Sequence, residues 1–206
     1  MSVIDRLATS LGRRGDEANQ SLAADLAQTR NADDVAELVA NLSHRNRRIA
    51  GDCVKTLYEL GYLAPDLIAP HVDAFLALLD NKNNRLVWGG MIALSTIAPL
   101  QPAAIHRQLD RVMAAIESGS VITVDAGISV LAHLAAANES YGSELVPWLL
   151  QHLRTCRPQS VAQHAERIAI GAGDRDEFIE ILTTRVGDVS KGSQARIRRL
   201  LRKLQQ

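Results

Sequence analysis

The stretch Val35-Ala36-Glu37-Leu38-Val39-Ala40-Asn41-Leu42-Ser43-His44-Arg45-Asn46-Arg47-Arg48-Ile49 has a degenerate second copy 37 residues further on. That copy reads Val72-Asp73-Ala74-Phe75-Leu76-Ala77-Leu78-Leu79-Asp80-Asn81-Lys82-Asn83-Asn84-Arg85-Leu86. Val35, Leu38 and Leu42 fall on Val72, Phe75 and Leu79, Asn46 falls on Asn83, and Arg48 on Arg85. The same step carries Val54 to Met91, Leu57 to Leu94, Leu60 to Ile97, Pro65 to Pro102 and Ile68 to Ile105. A second step reaches Leu109, Val112, Ile116, Val124, Ile128, Leu131 and Leu134; a third reaches Val146, Leu149, Leu153, Val161, Ala165 and Ile168. A fixed period of this size marks a repeat architecture.

Inside each unit the apolar positions keep helical spacing, as in Leu38-Leu42 and then Ile49, Cys53, Val54, Leu57 and Leu60. Each unit therefore reads as a shorter helix A, a polar turn and a longer helix B. The turns Ser43-His44-Arg45-Asn46, Asp80-Asn81-Lys82-Asn83 and Glu117-Ser118-Gly119-Ser120 supply acceptors for the free amides that open helix B. Pro65, Pro70 and Pro102 are expected near helix A starts, where a missing N–H costs nothing. Val121-Ile122-Thr123-Val124 is the one β-like run, but the repeat places it in the first turn of a B helix, and the repeat takes precedence over local propensity.

A lone helical hairpin cannot bury its apolar stripe, so neighbouring units must stack into a continuous core. The expected fold is all-α, a right-handed α-α superhelix of about six antiparallel hairpins over a single domain, residues 1–206. Residues 33–172 form four core repeats. Residues 1–30 form a leading capping hairpin from segments 3–11 and 16–29, and residues 174–206 a closing one from segments 175–186 and 193–204. Gly171-Ala172-Gly173-Asp174 reads as a helix C-cap followed by the next N-cap. The alternating A and B helices, the proline near helix A, the Asp/Asn turn and the small-residue column Cys53, Gly90, Gly127 resemble HEAT or armadillo repeats. The period is shorter than the roughly 40–47 residues usual there. The basic residue opening helix B is present as Arg48 and Arg85 but replaced by Ile122 and Gln159 in the later units. The resemblance implies that B helices line a concave binding face.

Composition agrees with a helical stack. Hydrophobic residues are 47% and aromatic residues 3%, so the core must be aliphatic and the chain is not a disordered one. Lys plus Arg and Asp plus Glu are 23 each, but the zero sum is uneven. Residues 191–206 carry six basic side chains and no acid, leaving 17 basic against 23 acidic elsewhere. Cys53 and Cys156, far apart and without a CxxC spacing, read as free thiols of a reducing cytoplasm. No leader-like N-terminus and no apolar run of roughly 18 residues is visible, so the expectation is a soluble, cytoplasmic chain with no membrane partner.

Functional candidates follow from the register. The B-helix columns Asp52/Gly89/Ala126/Gln163, Lys55/Ile92/Ser129/Glu166 and Glu59/Thr96/His133/Ile170 are expected to face a solvent-filled groove. Because these columns do not repeat chemically, an irregular protein surface is the expected partner, contacted by Asp52, Lys55, Glu59, Trp88, Ile92, Asp125, Ser129, His133 and Trp148. Trp88 is placed at the core edge and Trp148 on an exposed column, both suited to anchoring a partner. The alternative is nucleic-acid binding through a ridge of Arg45, Arg47, Arg48, Lys82 and Arg85 with the terminal Arg196, Arg199, Arg202 and Lys203. Against it stands a bland account of the terminal basic residues, as a solvated helix pairing with Asp174, Asp176, Glu177 and Glu180. Enzyme signatures are lacking, and no cofactor is called for. Some HEAT-like proteins are DNA glycosylases or bilin lyases, and that chemistry would need an acid with aromatic walls, here Asp52 or Asp125 with Trp88. His152 and Cys156 share a helix face at i,i+4, but two groups do not close a zinc site, so no metal is expected.

Overall fold

The structure, a computed structural model, describes residues 2–172 and 175–205, with the backbone alone at Arg175. Among the described residues every regular element is helical. The chain falls into two compact units, residues 1–127 and 128–206, and the boundary lies within one helix, Val121–Ala137.

The first unit contains α1 (Glu17–Thr29), α2 (Ala32–Ala40), α3 (Arg47–Leu63), α4 (Pro65–Ile68), α5 (Val72–Leu78), α6 (Asn84–Ile97), α7 (Pro102–His106), α8 (Leu109–Ser118) and the opening of α9 (Val121–Ala137). The long helices α3 and α6 are the B helices of successive repeats and pack side by side, with α1 on the other flank of α3 and α5 against α6. Their starts repeat the same caps 37 residues apart. Asn46 Oδ1 accepts the Arg48 amide at 3.0 Å and Asn83 Oδ1 accepts the Arg85 amide at 3.1 Å. One residue pair further out, His44 Nδ1 accepts from the Asn46 amide and Asn81 Oδ1 from the Asn83 amide. Ser120, one more period along, caps α9 more weakly, accepting the Thr123 amide at 3.4 Å. Each cap satisfies a donor that the helix itself leaves open. The Val121–Val124 run is helical, as the repeat requires.

The small column is a packing device. A Cβ on Gly90 would stand 2.9 Å from Leu78 Cβ and 3.1 Å from the Phe75 carbonyl, and one on Gly127 would stand 2.4 Å from Ile116 Cγ1. Helix B thus lies directly on helix A of its own repeat, closer than any side chain allows. Around that contact the core is aliphatic: Leu38, Leu57, Leu60, Ile68, Leu94 and Ile97 are fully buried with Phe75. Each such side chain contributes roughly 1.5–3 kcal/mol of transfer free energy.

Two expectations need correction. Helix A of the second repeat is not continuous: Pro65 opens α4 as expected, but Pro70 lies in a 3-10 turn, residues 69–71, separating α4 from α5. Proline cannot donate to the preceding turn, so Pro70 is compatible with that break. The third repeat bends at the same register without a proline: His71 and Gln108 lie 37 positions apart and share φ near −101° and −116°. The first half of the leading hairpin is likewise not a helix over 3–11 but one 3-10 turn, Val3–Arg6, followed by a segment in which Gly12 and Gly15 hold φ of 65° and 91°. Those left-handed turns suit glycine, and they lead the chain to Asp16 at the head of α1.

The second unit holds the remainder of α9, then α10 (Glu139–Thr155), α11 (Pro158–Ile168), α12 (Arg175–Arg185) and α13 (Lys191–Leu204). Helix α10 packs on α12 and α11 on α13, with Phe178, Leu182 and Ile197 in the core. Helices α12 and α13 cover most of segments 175–186 and 193–204. The Gly173-Asp174 part of the expected cap lies outside the described residues.

Candidate functional site

In the first unit one face of α3 carries Asp52, Lys55, Tyr58, Glu59 and Tyr62 at helical spacing, and α6 presents Arg85, Trp88, Ile92 and Thr96 beside it. Lys55 Nζ donates to Glu59 Oε1 at 2.6 Å, lies 3.5 Å from Asp16 Oδ2 and sits 4.9 Å above the Tyr58 ring. Burial alone would lower the Lys55 pKa, but its hydrogen bonds to Glu59 and Tyr58 more than reverse this and hold it above the ordinary lysine value. Burial pushes the Tyr58 phenol up, with Lys55 opposing. The Tyr58 ring lies 6.0 Å from Trp88 on α6 and edge-on to Tyr62 at 6.4 Å, so three aromatic rings run continuously from one B helix to the next. Trp88 and Ile92 are half-buried, and Tyr62 is 63% exposed.

The groove is not the open polar strip expected at its head. Asp52 is 5% exposed and Lys55 7%, and Gly89 and Ala126 of the Asp52 column are buried as well. Over Asp52 and Lys55 the cover is the N-terminal segment. The Thr9 amide donates to Asp52 Oδ2 at 2.8 Å, and Asp16 reaches both Lys55 and Arg85. Arg85 in turn lies 3.7 Å from Asp52 Oδ1, with its Nε buried and lacking an acceptor. Of the expected contact residues, Glu59, Trp88 and Ile92 remain accessible along α3 and α6, whereas Asp52 and Lys55 are occupied beneath the N-terminal segment. Asp125 is half-buried on α9 and has a partner of its own. The acid of the enzyme reading is therefore tied up: Asp52 accepts a backbone amide and faces a guanidinium. Sequence reasoning passed over Tyr58 and Tyr62, although the spacing 55, 58, 59, 62 on helix B was a legible signal for one mixed face.

The basic ridge survives in part. Arg45, Arg47, Arg48 and Lys82 are exposed, and Arg45, Arg47 and Lys82 line a small cavity of about 210 Å³ at the turns before α3 and α6. Arg85 leaves the ridge for the acidic pair Asp16 and Asp52. In the second unit Arg196 does not serve as a free cation either. It grips Glu166 of α11 through Nε at 3.0 Å and Nη2 at 2.6 Å, which raises its own pKa and lowers that of Glu166. Arg199, Arg202 and Lys203 stay exposed. Of the acids expected to pair with the terminal basic residues, Glu177 pairs with Arg154 of α10, and Asp174 lies outside the described residues.

Ser129 and His133 are half-exposed on α9, and burial lowers the His133 pKa. Trp148 is half-buried rather than exposed, stacked on His152 at 5.4 Å with an 11° tilt. Beyond His152 lies His164 of α11, 1% exposed, whose Nδ1 is 2.9 Å from His152 Nε2, one nitrogen donating to the other. Cys156 completes a trio in which one ligand atom from each side chain lies within 4.8 Å of the others. Burial pushes the Cys156 thiol up, and the neighbouring Arg185 guanidinium opposes this. Arg185 also donates to the Leu153, Arg154 and Cys156 carbonyls, closing the open end of α10. His164 was not paired with His152 and Cys156 in sequence. The second unit also has a cavity of about 470 Å³ at the start of α10, walled by Ala135, Ala136, Val146 and Pro147, with Glu139 its one ionisable residue. Cys53 is buried in α3, its thiol pushed up to about 12 chiefly by desolvation. Among the described residues no helix is long and apolar enough to cross a membrane.

No family model and no curated protein matches this chain. Solved structures do. An engineered protein of the Northeast Structural Genomics Consortium is 18% identical over all of this chain and 97% of its own, with a TM-score of 0.62. A designed armadillo repeat protein in complex with the peptide (KR)4 is 14% identical over 95% of each chain, with a TM-score of 0.64. Computationally designed armadillo repeat proteins for modular peptide recognition are 15% identical over 95% of each chain, again at 0.64. At this identity the likeness speaks to architecture alone, and the fold is that of an armadillo/HEAT-like α-solenoid.

Proposed function

We propose that the chain is a non-catalytic scaffold that holds a protein partner on the B-helix face of its repeats, with the Tyr62–Tyr58–Trp88 ladder of α3 and α6 as the anchor. The observation that carries this reading is the ladder itself: half-buried Trp88 and exposed Tyr62 joined through the buried Tyr58 ring, rigidly based on two helices, beside the carboxylate of Glu59. Aromatic anchors of this kind dominate protein interfaces because they bury a large area at little conformational cost. The likeness to designed armadillo repeat proteins, one in complex with a peptide and others made for modular peptide recognition, supports the same use of the fold. Nucleic-acid binding receives less support, since Arg85 and Arg196 are engaged by carboxylates.

The test is affinity capture from the cells that make the protein, comparing wild type, Tyr62→Ala, Trp88→Ala and a reversal of Arg45, Arg47 and Arg48 to Glu. The scaffold reading expects a protein whose capture falls at least about tenfold in both aromatic variants and persists in the reversal. A partner lost only in the charge reversal, or a nucleic acid in its place, would contradict it.

A further inference from the structure

We infer that His152, Cys156 and His164 form a binding site for a zinc-class divalent cation in the second unit. Three observations carry this. The donor set, two imidazoles and one thiol, is borderline-soft and matches Zn²⁺ or its surrogate Co²⁺ rather than Ca²⁺ or Mg²⁺, which take oxygen ligands. The spacing is close to what coordination needs. Tetrahedral zinc with bonds of roughly 2.0–2.1 Å to nitrogen and about 2.3 Å to sulfur puts its ligand atoms about 3.3–3.6 Å apart. Here the two nitrogens are 2.9 Å apart and all three ligand atoms lie within 4.8 Å. The nitrogens need to part by a few tenths of an ångström, and the sulfur to close by about 1.2 Å at most. That last movement is unhindered by helix geometry, because Cys156 is the C-cap of α10, with extended backbone angles of −61° and 155°.

The surroundings also hold the ligands in place. His164 is packed into the core of the hairpin, and the Trp148 ring lies flat on His152, fixing its plane. Arg185 ties the Cys156 carbonyl to α12 and so fixes the backbone that carries the sulfur. His152 and Cys156 are part-exposed, so an ion can enter from their side. On binding, the thiol proton leaves to solvent. The imidazole that donates in the His152–His164 contact moves its proton to its other ring nitrogen, so that two lone pairs and a thiolate face the metal. Three protein ligands leave a fourth position for water or for a partner's side chain. Bound metal would pin the end of α10 to α11 across the turn at 156–158.

The experiment is titration of chelator-treated full-length protein with Co²⁺, followed by competition with Zn²⁺. The readouts are the thiolate-to-cobalt charge-transfer band and quenching of Trp148. The expected result is one equivalent bound, with the sulfur band present and displaced by Zn²⁺, and a melting temperature that rises with Zn²⁺ concentration. Cys156→Ser should abolish the band, and both it and His152→Gln should weaken binding by at least about tenfold, while His133→Gln should bind like wild type. Both ligand substitutions are at part-exposed positions, and circular dichroism verifies that each variant is folded. Absence of stoichiometric binding, cobalt binding without a sulfur band, or affinity unchanged in either ligand variant overturns the inference.

Discussion

Replacing Asp52 separates the two roles of the N-terminal segment's main contact. The Asp52 carboxylate accepts the Thr9 amide at 2.8 Å on one oxygen and faces Arg85 at 3.7 Å on the other. Asp52→Asn keeps an acceptor for Thr9 and removes only the charge. Breaking a fully buried ion pair costs about 3–5 kcal/mol. The Arg85 side chain is 41% exposed, however, and the separation exceeds a hydrogen bond, so the expected loss falls to about 1 kcal/mol. Asp52→Ala also removes an amide-to-carboxylate hydrogen bond in a buried position, worth about 1.5–3 kcal/mol, partly offset by about 0.5 kcal/mol of helix propensity. The alanine variant should therefore be destabilised by about 2–3 kcal/mol in urea unfolding, and the asparagine variant by about 1 kcal/mol. Hydrogen exchange supplies the local readout: protection of the Thr9 amide should survive in Asp52→Asn and vanish in Asp52→Ala. Equal stabilities for the two variants, or an exchange rate at Thr9 unchanged by alanine, would refute the idea that this contact seats the segment on α3.

Other consequences follow from single contacts. Gly127→Ala should cost about 1–3 kcal/mol despite alanine's better helix propensity, because its Cβ would stand 2.4 Å from Ile116; Gly187→Ala, with open space around it, should be within about 0.5 kcal/mol of wild type in the same unfolding assay. His133 has a folded pKa depressed from 6.5 by burial, so the unfolded chain binds its proton more readily, and stability should fall as pH drops below 6.5; His133→Gln should flatten that part of the stability–pH profile. Glu166 is the opposite case of a lowered carboxylate. Its contribution is present above 4.5 and lost as pH falls through the folded value, and since both partners are more than a third exposed, Glu166→Gln should cost under about 1 kcal/mol and less at high salt.

The repeat made most of the helices legible because its signals are local and recur. Asn46, Asn83 and Ser120 announce the B helices by capping them, and Val121–Val124 could be assigned only by that register. What sequence did not show depends on residues brought together from outside the period. The bend at Gln108 has no proline to announce it, and its twin at His71 has one in the preceding position. The burial of Asp52 and Lys55 arises from a non-repeating N-terminal segment, whose glycine turns have no counterpart in the other units. His164 joins His152 because the two lie at similar heights on either side of the turn at 157, in an antiparallel pair of helices. The i,i+4 spacing of His152 and Cys156 is visible in the sequence, although Cys156 stands just past the end of α10 as its C-cap; the third member requires that hairpin to be folded.

The scaffold account rests on the aromatic face of α3 and α6, and one measurement addresses it directly: a photo-cross-linking amino acid placed at Tyr62, activated in the cells that produce the protein, with the same probe at Arg48 for comparison. The account predicts a discrete protein adduct at position 62 that disappears when Trp88→Ala is added, and none of that adduct from position 48. Adducts from position 48 alone, or cross-links at position 62 that persist without Trp88, would contradict it.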